Sequence, residues 1–319
     1  MNALRRLWTA WLSLLTHKEA GYGIAILRIV AGIAILSELS GPLRHNLVPL
    51  LWLPVDAGGY MLQPNAGWRF ELLGGVSPEA VYTLITVGLI AGATLLVGVA
   101  GRLSAFIALQ CFIALTDLNL SAGGSDDYLI SNVLWLLVLA DSTATGSLTA
   151  RWKTGRFWPG TPVAAWPRYL VILQLVVMYT STGLQKMSAH WVPWGDLSAL
   201  YYIVQQPTWG RFPIQPSPWL YPATQAITLL TWVWEVGAPV LLLAMWWRYT
   251  SERGGRLRHW SNRLDLRSWF LAYGFFMHLG IFSMMQVGMF SIMSVATYAC
   301  AYHPDEYRAL WARIRSKIS

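Results

Sequence analysis

Charge is what this sequence has least of. Only 12% of its 319 residues are Asp, Glu, Lys or Arg, about half of the roughly 25% usual in a soluble domain. With 55% hydrophobic residues and a mean hydropathy of +0.44, the chain cannot clothe a water-facing surface. Cysteine is nearly missing too. Cys111 and Cys300 both sit in apolar stretches, which excludes a disulfide framework or a thiolate metal cluster and suits buried small hydrophobes. Zincin, Walker, Rossmann and serine-elbow motifs are missing, so hydrolase or nucleotide chemistry of the soluble type is excluded. The N-terminal "MNALRRLWTAWLSLLTH" has no small-residue cleavage site after its apolar stretch and reads as no signal peptide. It predicts an interfacial amphipathic helix over residues 3–15, with Arg5 and Arg6 on the wet side. That arginine pair lacks the flanks of a twin-arginine export signal. Internal repeats, low-complexity tracts and a soluble domain are also missing.

What the sequence does have is aromatic residues and long apolar runs. Nineteen Trp and fourteen Tyr suit the two water–lipid interfaces. A bilayer core needs about 20 mostly apolar helical residues. Eight segments qualify or nearly do: 22–40, 79–100, 103–120, 127–141, 167–187, 223–247, 268–283 and 286–302. Alternating the connections puts eighteen Lys and Arg on one side and three, Arg44, Arg69 and Arg211, on the other. That asymmetry makes the rich side cytoplasmic. The expected class is therefore all-α: a polytopic transmembrane helical bundle of about eight spans, with both termini cytoplasmic. Residues 1–20 form an interfacial segment, 21–303 the membrane domain and 304–319 a basic cytoplasmic tail. The segment 188–222 is too apolar for a free loop and too broken for a span. It predicts an aromatic- and proline-rich extracytoplasmic cap. The formal net charge of +8 lies in blocks between apolar segments. Such basic loops suit anionic lipid head groups and give no nucleic-acid groove.

Ionisable side chains at mid-membrane cost about 2.5–3.5 kcal/mol each on insertion scales and face interior cavities. The candidates are Arg28, Glu38, Asp117, Lys186, Glu235 and His278. Lys186, in "STGLQKMSAHW", stands near the outer end of its span at helical spacing from Tyr179, Thr182 and Gly183. That small polar stripe reads as a cavity wall, where a neutral amine serves as base or nucleophile. The competing reading is a lysine snorkelling to the interface. His278 is either a catalytic partner or a satisfied inter-helix hydrogen bond. Glu235 either pairs structurally with Arg28 or holds Lys186 or a substrate amine. Asp126 and Asp127, in "SAGGSDDYLISN", complement a helix N-terminus or contribute to a polar outer site.

The segment "GLQKMSAHW" resembles the lysine motif of the vitamin K-dependent γ-carboxylases and their bacterial HTTM (horizontally transferred transmembrane domain) relatives, approximately Gly-Val-Lys-Lys-Leu-x-x-x-Trp followed by Gly and Tyr. Gly183, Lys186, Met187, Trp191, Gly195 and Tyr201 stand in its places. "MHLGIFSMMQVGMFS" is similar to a second motif and aligns His278, Gly288, Met289, Phe290 and Ser291. Weaker echoes are Arg28 in "LRIVAG", "GRLSAFIAL", "SDDYLI" and the acidic position at Glu235. The resemblance implies that Lys186 is the base that deprotonates a reduced, vitamin K-like quinone, with His278 beside it. By the same resemblance Tyr179, Trp191, Glu235, Arg28, Asp126 and Asp127 line the site or bind the cofactor, and no metal is expected. Two departures bear on substrate. Asp126 stands where the carboxylases carry a histidine, and their large lumenal domain has no counterpart in these residues. Short members resemble the sporulation-delaying protein B type, which matures a secreted peptide toxin with a partner protein, and Gly123-Gly124-x-Asp126 leans that way. The expectations are thus a peptide- or quinone-acting enzyme, or a maturation and export factor for a small secreted peptide. Either sits in lipid, multi-pass, in a bacterial cytoplasmic (inner) membrane.

Overall fold

The structure, a computed structural model, describes residues 3–61, 66–215 and 217–318. The first two residues of the expected 1–20 segment, Ser319 of the tail and residues 62–65 and 216 of the two outer loops lie outside the described residues.

The chain opens with α1 (Ala3–Thr16), strand β1 (Lys18–Ala20) and α2 (Tyr22–Arg44). Short α3 (Val48–Trp52) and α4 (Trp68–Glu71) lead to α5 (Pro78–Val97) and α6 (Gly101–Leu118). Then come α7 (Ser125–Leu139), α8 (Leu148–Thr154), strand β2 (Pro162–Ala164) and α9 (Trp166–Gln185). The short α10 (Ala199–Ile203) precedes α11 (Leu220–Val236) and α12 (Pro239–Tyr249). The chain closes with α13 (Arg256–Leu264), α14 (Leu266–Met284), α15 (Phe290–Thr297) and α16 (Pro304–Ile318).

The protein is an all-α membrane protein with one small addition. β1 and β2 pair antiparallel, Lys18 opposite Ala164, and strands of three residues are too short to leave a periodicity in sequence. Among the described residues, α2, α5 and α6 are long and apolar enough to cross a membrane. The α11–α12 pair makes a fourth span if its 56° bend is counted within one crossing. Pro239 accounts for the break, because it has no N–H and its ring clashes with the preceding turn. The other four expected segments are helical but do not pass as spans. α7 has 15 residues, and α15 has 8 before a 3-10 turn at Tyr298–Ala301. Arg168, Gln174 and the run Thr180–Thr182 dilute α9, while Arg267, Ser268 and His278 dilute α14.

The chain divides into two compact units, Met1–Val171 with Gly288–Ser319, and Ile172–Val287. In the first, α2, α5, α6 and α7 bury Leu27, Ile35, Leu95, Leu109, Leu115 and Ile130 completely. Lipid tails are as apolar as leucine, so close packing and hydrogen bonds hold such helices together. Gly32 shows how close: a Cβ there would stand 2.6 Å from the Leu96 backbone nitrogen. Buried Arg168 donates to both carboxylate oxygens of Glu19, one at 3.0 Å, and to the Cys300 carbonyl at 2.7 Å. On α1, Arg5, Trp8 and Trp11 are exposed; the Arg6 side chain lies outside the described residues.

In the second unit, described residues between α9 and α11 are tied to the helices by hydrogen bonds. Gln225 Nε2 donates to the Asp196 carbonyl at 2.6 Å, and the Leu200 N–H to Thr228 Oγ1 at 3.4 Å. Farther along, Arg211 Nε donates to the Phe282 and Met285 carbonyls at 2.9 and 3.0 Å. A cation over the last carbonyls of α14 answers both their unpaired acceptors and the negative end of the helix dipole.

Candidate functional site

Lys186 sits immediately after the last residue of α9, where its N–H still reaches the Gly183 carbonyl at 3.3 Å. The helix ends before the lysine, so the expected stripe is only partly realised. Tyr179 and Gly183 are buried, whereas Thr182 is exposed and spends its hydroxyl on the Met178 carbonyl.

The ammonium turns toward α11. Lys186 Nζ donates to Glu235 Oε1 at 2.6 Å and also to Oε2, so one carboxylate receives two donated bonds. Only 19% of the lysine side chain and 7% of the glutamate are exposed. Snorkelling would send this ammonium to water, and it does not go there. The Trp191 ring covers it from another side, 4.5 Å from Nζ to the ring centroid, a cation–π contact that replaces part of the lost hydration. Gly183 lets α9 and α11 meet here: a Cβ would stand 2.9 Å from both Glu235 Cβ and the Val236 nitrogen.

Beside the ion pair lies an aromatic layer. Trp234 precedes Glu235 on α11, and its ring centroid is 4.4 Å from that of Tyr179. It stacks on Phe270 at 4.8 Å and donates its Nε1–H to the Phe270 carbonyl at 3.0 Å. The Tyr179 hydroxyl lies 2.8 Å from His278 Nε2. His278 thus has the inter-helix hydrogen bond that was one of its two readings. Lys186, Glu235, Trp191, Tyr179 and His278 therefore gather in one unit through Trp234, a residue that sequence reasoning did not single out. Its only signal was adjacency to Glu235.

Two further polar groups lie on the helices that carry the pair. Trp232 Nε1 and Thr180 Oγ1 are buried atoms with no hydrogen-bond partner among the described residues. Trp232 lies one turn from Glu235, and Thr180 one turn from Gly183. Buried donors of this kind are rarely left unmet in a protein interior.

Arg28, Asp126 and Asp127 belong to the first unit. Arg28 is fully buried and donates to the Gly146 carbonyl, so the alternative in which it holds Glu235 is not the one adopted. Asp127 accepts the Gly124 N–H at 2.8 Å, a helix-start contact at the head of α7. Asp126 faces Gly288: a Cβ there would meet the Asp126 carboxylate and lie 3.2 Å from Glu38 Oε1. Glu38 in turn accepts the Met289 N–H at 3.1 Å. Among the described residues no group of His, Cys, Asp and Glu is arranged to hold a metal.

The model of the HTTM domain family matches residues 18–249, well over half of the chain. The chain belongs to the HTTM domain family. It is accordingly an integral membrane protein. No curated protein and no solved structure matches it. In this HTTM protein the matched stretch contains Lys186, Trp191 and Glu235, while His278 and the Gly-Met-Phe-Ser run at 288–291 lie beyond its end.

One more polar group sits on the loop after Lys186. Ser198 Oγ donates to Asp196 Oδ1 at 2.8 Å, and the Ser198 N–H does so at 3.1 Å. His190 Nδ1 lies 2.7 Å from Ser198 Oγ. The Ser198 hydroxyl, then its N–H and the nearby His190 hold the Asp196 carboxyl below the usual carboxylate range. Serine and aspartate share the same imidazole nitrogen, so this is a loop clasp and not a hydrolase triad, which needs them on opposite nitrogens.

Proposed function

We propose that this protein is a γ-carboxylase-like membrane enzyme in which Lys186 is the base and Glu235 its counter-charge. The observation that carries this reading is the inward-turned ammonium, held by one buried carboxylate and covered by an aromatic face. The ammonium must first release a proton to water before it can serve as base. Glu235 then neutralises the ammonium that re-forms when the Lys186 amine takes the substrate's proton, and the dry surroundings make that compensation strong. Tyr179 and His278 hold the aromatic layer behind the pair.

The reading extends to a reduced, vitamin K-like quinone. The residues present fit such a group. Trp232 Nε1–H and the Thr180 hydroxyl are unmet hydrogen-bonding groups on the two helices that carry the pair, and Trp191 offers a flat aromatic face beside Lys186. When bound, the quinol supplies an acidic hydroxyl proton and reducing equivalents. The protein's own part is to hold the ring, exclude water and receive the proton at Lys186 Nζ.

The accompanying topology is eight crossings, with 188–222 as an outer cap and both termini cytoplasmic, in a bacterial inner membrane. Residues 1–20 lie in the interface, 21–303 form the membrane domain, and 304–319 are a cytoplasmic extension. A second reading draws on exposed Trp194, Tyr202, Trp209, Phe212 and Trp219 along 194–219. Such a surface suits a small secreted peptide, matured with a partner protein as in the sporulation-delaying protein B type.

The test is turnover of a reduced quinone by membranes carrying the protein. Lys186→Ala and Lys186→Arg should both lose about 10²–10⁴-fold in rate, the usual contribution of a positioned base. An arginine keeps the charge but does not give up its proton. Full turnover by a folded Lys186→Ala protein overturns the enzyme reading. Loss of peptide maturation without any quinone turnover in the parent protein supports the second one.

A further inference from the structure

α13 carries two exposed stripes that no described residue covers. Leu257, Trp260 and Leu264, at helical spacing, are 70%, 56% and 41% exposed. Arg256, His259 and Arg263 share the neighbouring face and are exposed as well. The remaining side of the helix is the one that docks. Ser261 is buried, Asn262 Nδ2 donates to the Trp247 carbonyl at 3.0 Å, and Arg258 lies over the Trp246 ring at 5.2 Å.

The nearby acids are spent elsewhere. Asp265 faces Arg248 and Arg267, each at 3.8 Å, and Glu252 faces Arg253 at 3.9 Å. Among the described residues no side-chain hydrogen bond or ion pair engages Arg256, His259 or Arg263. A helix of 9 residues is about 14 Å long and cannot cross a hydrocarbon core of about 30 Å. An apolar stripe beside a basic one, on a helix too short to span, is the pattern of an element lying in the membrane–water interface.

We propose that α13 is an anionic-phospholipid-binding helix: Leu257, Trp260 and Leu264 enter the acyl boundary, while Arg256 and Arg263 engage phosphate head groups. Charge selects the partner. Two unpaired guanidiniums favour a negatively charged surface over a zwitterionic one, and their bidentate forks match phosphate oxygens. This inference stands apart from the reading of Lys186 and needs only that the protein lies in a membrane.

A nitroxide at Leu257→Cys tests it in the full chain. The two native cysteines are buried at 4% and 0% exposure, so labelling is selective. In phosphatidylcholine vesicles containing phosphatidylglycerol, the label should sit about 5–10 Å below the phosphates, protected from a water-soluble nickel collider. Arg256→Gln with Arg263→Gln should return it to the aqueous side, and the paired Lys variants should keep it down. Raised salt acts on the unmutated arginines and should make the label shallower, so a failure of the Gln variant to fold leaves the test intact. A depth that is the same with and without phosphatidylglycerol and indifferent to salt overturns the proposal. So does a label open to the nickel collider in every vesicle.

Discussion

At the scale of single residues, the environment of a charge decides what it does. Lys186 and Arg28 are both cations within apolar sequence, yet Lys186 meets a carboxylate and Arg28 a backbone carbonyl. Removing the Glu235 charge leaves a largely buried ammonium with weaker compensation. Glu235→Gln should therefore destabilise the protein by about 1–3 kcal/mol, measured as a lowered thermal midpoint in detergent, besides slowing any proton transfer at Lys186. Asp196 offers a pH-dependent counterpart on the loop. Its carboxyl is held below the usual range in the folded protein, mainly by the Ser198 hydroxyl. The stabilisation is thus present above the ordinary carboxylate pKa and is lost as pH falls through the folded-state value. Acidification from neutral pH should loosen the 186–219 segment, read by hydrogen exchange at Ser198 and Ala199. Asp196→Asn should flatten that dependence.

At the scale of elements, α9 and α11 meet because Gly183 has no side chain. A methyl group there would press on Glu235 Cβ and on the Val236 nitrogen, and backbone yields poorly. Gly183→Ala is expected to cost about 1–3 kcal/mol and to weaken the Lys186–Glu235 contact. Thermal unfolding together with the reactivity of the Lys186 amine toward acylating reagents would register both effects. Gly183→Ser should behave alike, since the added Cβ is the cause in each. A variant as stable as the parent, with an equally shielded lysine, would contradict the close approach.

At the scale of the whole molecule, topology awaits a direct experiment. The eighteen-to-three division of Lys and Arg predicts that residues 188–222 are extracytoplasmic and that α13 and α16 are cytoplasmic. Single cysteines at Trp219, His259 and Leu310, all exposed, should therefore divide one against two in labelling of intact cells by an impermeant maleimide. Labelling of His259→Cys or Leu310→Cys from outside would rule that topology out.

Sequence alone determined the membrane class, the positions of the long helices and the family likeness around Lys186. These depend on composition, run length and spacing along one chain, and all of them can be counted. It also marked Glu235 as a partner in waiting but left Arg28 and Lys186 both open to it. Helical periodicity says which residues share a face and is silent on which face another helix presents. The tertiary structure decided that pairing, ended α9 one residue short of Lys186, bent the α11–α12 segment at Pro239 and brought Trp234 between Tyr179 and Phe270. Each of those outcomes depends on atoms far apart in sequence and close in space. The lysine's partner is one of them, a carboxylate 49 residues away.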